Sequence, residues 1–137
     1  MKKLLFAPAL VVALVLISFQ SQTAEAADYY LGVYDDGREA YLMTETLRFE
    51  KYAYEEDGPG HYYCSVKAVS PRAQSYDTVY YVIDFGQMGA IITKNGRAYL
   101  RKEMVQVRKQ PNSVEMKLID CVKAYHSQNG RGSLRGY

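Results

Sequence analysis

The chain has no tryptophan, two cysteines, two histidines and four prolines in 137 residues. Each scarcity excludes something. His61 and His126 are too few to assemble a histidine-rich metal centre, and two cysteines are better explained as partners than as zinc ligands, so no metal and no cofactor are expected. A Ser-His-acid triad is formally possible from Ser65 or Ser75 with either histidine, but no nucleophile-elbow sequence is present. Asp84-Phe85-Gly86 spells a kinase magnesium tripeptide without the catalytic loop, lysine strand or glycine-rich loop that would give it meaning, and it reads as a strand end followed by a turn. A formal net charge of +2 rules out a strongly charge-driven partner for the molecule as a whole. Internal repeats and domain-dividing linkers are also missing.

The one long apolar run lies at the start. Met1-Lys2-Lys3 is a positive leader, Leu4 to Phe19 is apolar with one proline, and Ala24-Glu25-Ala26 is a small-x-small cleavage site. Residues 1–26 therefore read as an export signal, with a retained anchor as the alternative. The run is short for a bilayer span and is followed by Gln20, Ser21, Gln22 and Thr23 rather than by a basic stop-transfer cluster. The expected location is periplasmic or secreted, with no stable membrane span after cleavage.

From Tyr29 onward, short alternating apolar runs are bounded by Gly, Asp, Asn and Pro, which is strand patterning. Tyr29 to Tyr34 and Ala40 to Met43 flank Asp36-Gly37, a tight hairpin signal, and Asn95-Gly96 supplies a second one between Ala90–Thr93 and Arg97–Leu100. The apolar parity changes between Leu47/Phe49 and Tyr52/Tyr54, predicting a bulge or break near Glu50-Lys51. His61 to Ser70 alternates as a half-buried strand. Thr78 to Phe85 is apolar on both sides, which suits a central strand covered on each face or one facing a ligand surface. Met104 to Val107 reads as an extension of the last strand. Val114, Leu118, Cys121, Val122 and Tyr125 then recur at helical spacing behind a Ser113 cap. The fold class expected is α+β: an antiparallel sheet of about six strands with one carboxy-terminal helix packed on it, spanning residues 27–126, and a flexible tail at 127–137.

Cys64 shares a strand face with Val66, and Cys121 lies on the helix stripe with Leu118 and Tyr125, so both point at one core. In an exported chain they are expected to form a disulfide, which would close a long loop and stabilise the fold by about 4 kcal/mol. Two reduced buried thiols are the alternative, and in either state neither is placed to act as a nucleophile.

Charge is segregated along the chain. Residues 28–57 hold nine acids and three bases, whereas residues 90–137 hold ten bases and three acids. Either the two segments neighbour and compensate each other, or Arg101, Lys102, Arg108, Lys109, Lys117 and Lys123 form an exposed basic surface for anionic envelope polymers or lipid headgroups. Export argues against nucleic acid as the partner. The paired acids Asp35-Asp36 and the run Glu55-Glu56-Asp57 read as solvated loop carboxylates, adjacent residues in a tight turn being unable to converge on calcium. Fourteen tyrosines are the strongest compositional signal. Tyrosine is at home in strands, so the abundance has an ordinary structural account. Its rival is a recognition face, on which Tyr30, Tyr34, Tyr41, Tyr63 and Tyr80 would stand together on the solvent side of the sheet.

The run Tyr30-Leu31-Gly32-Val33-Tyr34-Asp35-Asp36-Gly37, the segment Ala40 to Thr46 and the downstream Cys64-Ser65-Val66-Lys67-Ala68-Val69 resemble an uncharacterised group of small exported proteins from diderm Firmicutes. The resemblance covers the first half of the domain best. It implies export and a shared β-rich domain, and it carries over no active residue. Taken together, these readings predict a noncatalytic exported module that binds an envelope polymer or a protein partner through its sheet. A small hydrolase acting through loop carboxylates and a secreted enzyme inhibitor are the alternatives.

Overall fold

A computed structural model describes residues 28–73, 75–87 and 89–134. The expected export signal at residues 1–26 lies outside them, as do Arg135 to Tyr137. Six strands follow one another in the chain and in space: β1 (Asp28–Val33), β2 (Glu39–Lys51), β3 (Gly60–Val69), β4 (Tyr76–Gly86), β5 (Gly89–Lys94) and β6 (Arg97–Ala98). All neighbours are antiparallel, so the sheet is a simple meander in the order β1-β2-β3-β4-β5-β6. Two helices follow, α1 (Arg101–Arg108) and α2 (Val114–Gln128), and α2 packs on the sheet. The α+β class and the six-stranded antiparallel sheet are as the patterning predicts.

Alternation along β3 sets the two faces. Tyr62, Cys64, Val66 and Ala68 are buried while His61, Tyr63, Ser65 and Lys67 are only partly covered. β4 repeats this with Val79, Tyr81, Ile83 and Phe85 inside. Leu42 from β2, Ile92 from β5 and Val114, Leu118, Ile119 and Val122 from α2 complete one core between the helices and a single face of the sheet. The opposite face has no layer over it among the described residues. β4 is central between β3 and β5, buried on one side and open on the other.

The second hairpin turns where the sequence says it should, with Asn95 at φ 49° and Gly96 at φ 83°, the left-handed pair that a two-residue turn between right-twisted strands requires. The first break in pairing falls elsewhere. β2 runs unbroken through Glu50 and Lys51, and its register shift lies between Met43 and Arg48, where Thr46 Oγ1 donates to the Met43 carbonyl and accepts from the Ser65 amide. The parity change at Tyr52 is instead the chain leaving the strand for a single 3-10 turn, Glu55–Asp57.

Met104 to Val107 belongs to α1 and not to a strand. Met104 and Val107 are three residues apart and both buried. The start of α1 is set by Glu103, whose carboxylate accepts from the Leu100 amide at 2.9 Å and from Arg97 Nη1 and Nη2, each at 3.0 Å. Those bonds, the Arg97 bond first, hold Glu103 down to about 2. Ser113 caps α2 as expected, its Oγ accepting from Met116 N at 3.2 Å.

The segment after α2 is anchored as far as it is described. Of the loose tail expected at 127–137, Ser127 and Gln128 end α2 and residues 129–133 are exposed, but Arg131 donates to the Tyr62 hydroxyl and Leu134 is buried in the core.

Candidate functional site: the open sheet face

A β-bulge decides which tyrosines share the uncovered face. Tyr30 pairs with Tyr41 there, at a ring separation of 5.3 Å. The register then shifts between Tyr30 and Gly32, Gly32 taking φ 138°, and Leu31 turns into the core. The shift moves Tyr34 to the opposite side, so the expected five-tyrosine cluster loses one member. Tyr41, Tyr63 and Tyr80 remain with Tyr30, and Tyr76 joins them. Tyr30, Tyr76 and Tyr80 are 51%, 55% and 62% exposed.

Charged side chains are threaded between the rings. Glu50, His61 and Asp84 lie in one cross-strand row over β2, β3 and β4. His61 Nε2 is 3.0 Å from the Tyr63 hydroxyl and 3.7 Å from Glu50, and the Tyr52 ring is 5.4 Å away. Arg48 stacks its guanidinium 4.5 Å from the centre of Tyr63. Lys67 lies 5.1 Å from the Tyr76 ring centre and donates to Asp28 at 2.7 Å. Asp84 has a buried oxygen, Oδ1, without a hydrogen-bond partner, and burial raises its carboxyl above the usual range. Sequence reasoning did not select His61 or Asp84, because their proximity arises only from strand register.

Behind the sheet, Tyr34 closes a polar cleft of about 640 Å³ that is also lined by Asp35, Lys94, Tyr99, Asn112 and Glu115. Tyr34 donates to the Tyr81 hydroxyl at 2.8 Å, and Tyr81 donates to Glu115 at 3.3 Å. Burial pushes Tyr34 and Tyr99 up to about 12 and raises Glu115 against the pull of Lys94. Lys94 sits 4.8 Å from the Tyr34 ring centre. At the far end of α2, His126 is 2% exposed, with Nδ1 2.8 Å from the Tyr62 hydroxyl, and burial lowers its pKa.

Of the six basic residues singled out, Arg101, Lys102, Arg108, Lys109 and Lys117 are exposed and Lys123 is half-buried, all on α1 and α2 or the turn between them. Arg108 donates to the Ala90 carbonyl. Among the described residues, no ion pair joins these cations to the acids of residues 28–57; the pairs that exist are local to the sheet or to the Arg97–Glu103 contact. The two segments nevertheless meet at the cleft, where Lys94 lies with Asp35 and Asp36, and at the end of α2, where Arg131 and Glu55 line one depression.

The expected disulfide is not formed. Cys64 and Cys121 are both free thiols. Cys64 is buried beneath α2, and desolvation, with a smaller contribution from Cys121, pushes it up to about 12. Burial raises Cys121 as well, so both thiols stay protonated at neutral pH. No three His, Cys, Asp or Glu side chains gather to hold a metal among the described residues, and none of the described helices is long and apolar enough to cross a membrane.

No family model matches the chain, and no curated protein or solved structure is significantly similar to it.

Proposed function

We propose that the protein is an exported binding module that recognises an envelope component or a protein partner through the open face of its sheet. The observation that carries this reading is the asymmetry of the layer. One face of the sheet is covered by the helices, while the other presents Tyr30 from β1, Tyr41 from β2, Tyr63 from β3 and Tyr76 and Tyr80 from β4 with interleaved charges. Tyrosine offers a broad rigid ring and a polar tip at low entropic cost, which suits contact with a partner. A screen of the protein against glycans, peptidoglycan and envelope extracts is expected to return a ligand whose binding is lost in Tyr63→Ala and Tyr80→Ala. Absence of any ligand, or binding indifferent to both substitutions, would overturn the reading.

The cleft favours a second reading, a small hydrolase acting through carboxylates. Glu115 is desolvated while Asp35, on the same cleft, is exposed, which is the separation of environments an acid and a base require. Turnover of a polysaccharide or peptide abolished by Glu115→Gln would establish it.

A further inference from the structure

The chemistry of the open face indicates the sign of its partner. Asp28, Glu39, Glu45, Glu50 and Asp84 stand on it, and among the described residues only Arg48 and Lys67 oppose them. This excess of carboxylates coincides with the tyrosines, and aromatic rings bordered by acids are a surface for cations. The face already handles positive charge in this way. Arg48 lies on Tyr63, and Lys67 is held between Tyr76 and Asp28, so one guanidinium of the protein itself rests on a ring and one ammonium occupies a ring-and-acid site. Other sites stand free. Tyr80, paired across the strands with Ser65, is 62% exposed, and no cation or second ring lies against it among the described residues.

The carboxylates are spread along the strands and not gathered at a point. Glu50 and Asp84 flank His61 at one end of β3, Asp28 and Glu45 approach Lys67, and Glu39 pairs with Val69 at the other end. From His61 to Val69 the strand covers about 27 Å, the reach of an extended chain of about eight residues. A single small cation would engage only one of these sites.

Building on the reading of this face as a binding surface, we propose that its partner is a basic segment of a separate polypeptide, laid along β3 and β4 with lysine or arginine side chains on Tyr80, Asp84 and the neighbouring acids. A second copy offering the cations of α1 and α2 is the competing occupant. Such a head-to-tail contact builds rings or open chains of several copies, which sedimentation distinguishes from a one-to-one complex.

The test measures binding of fluorescein-labelled decalysine, decaglutamate and a chitosan oligomer to the protein by anisotropy, with amide shifts mapped by NMR. Decalysine is expected to bind and to move the amides of Arg48, His61, Tyr63, Tyr80 and Asp84. Its affinity should fall about tenfold in Glu45→Gln/Glu50→Gln, a pair of exposed positions whose replacement leaves the core untouched, and fall further with Asp84→Asn added. Salt raised towards about 1 M, where the Debye length is about 3 Å, should weaken it as well. Decaglutamate bound at this face would overturn the cationic partner while leaving the face a binding surface. Chitosan bound in preference to decalysine would overturn a polypeptide, and concentration-dependent chain growth would identify a second copy instead. No binding by any probe, with an envelope ligand still captured through Tyr63 and Tyr80, would overturn this proposal alone.

Discussion

The two faces of the sheet are built from the same strands and could hardly differ more in chemistry. On the covered side, Leu42, Val66, Ile83, Leu118 and Val122 exclude water completely, and the few polar groups are tied to one another, as in the Tyr62–His126 contact. On the open side, tyrosines alternate with carboxylates and two stacked cations, and one carboxylate oxygen has no partner. The outer surface of the helices has the opposite charge, carried by Arg101, Lys102, Arg108, Lys109, Lys117 and Lys123. Stability is thus concentrated in the layer between sheet and helix.

The most severe way to break this comparison is to substitute across it. Leu118→Ala, at a fully buried position of α2, is expected to cost about 2–5 kcal/mol in a urea unfolding experiment, whereas Tyr80→Ala on the open face should change stability by no more than about 0.5 kcal/mol. Similar losses at both sites would mean that the open face is structural. Next in size, Tyr62→Phe removes the hydroxyl that His126 Nδ1 and Arg131 share, and leaving the buried imidazole unmatched should cost about 1–3 kcal/mol.

A smaller effect depends on pH. Burial holds His126 below its ordinary value of about 6.5, so the unfolded chain takes up a proton that the folded protein refuses. Stability should fall as the pH drops through the unfolded value and level off once the lower folded value is passed. In His126→Gln that slope should vanish. Glu115 and Asp84 act with the opposite sign and closer to the carboxylate range, because their raised values let the folded state take up protons first. The smallest effect expected is that of a reductant. With both cysteines free, dithiothreitol should leave the Tm unchanged, and thiol titration after unfolding should find two thiols.

Much of this architecture is legible in the residue pattern because it is local. Asn95-Gly96 turns the last hairpin, the alternation from His61 onward separates the two faces of β3, and Ser113 opens the final helix. What escaped depends on contacts between residues distant in sequence. Tyr30 and Tyr34 have the same parity, yet one bulge at Gly32 sends them to opposite faces. α1 is two turns long, and its start is fixed by Arg97 gripping Glu103, which its apolar pattern alone does not reveal. Residues 129–133 are polar and exposed, yet Arg131 reaches the Tyr62 hydroxyl and Leu134 enters the core. The two cysteines do share one core, but shared burial did not bring them into a bond. Four of the five expected recognition tyrosines fell on one face, whereas the row of Glu50, His61 and Asp84 exists only once the register is known.

The most direct test of the account is an amide-shift map of the protein titrated with decalysine. The account predicts movement across Arg48, His61, Tyr63, Tyr80 and Asp84, with α1 and α2 unmoved. Shifts confined to the cleft around Asp35 and Glu115, or spread equally over both layers, would contradict it.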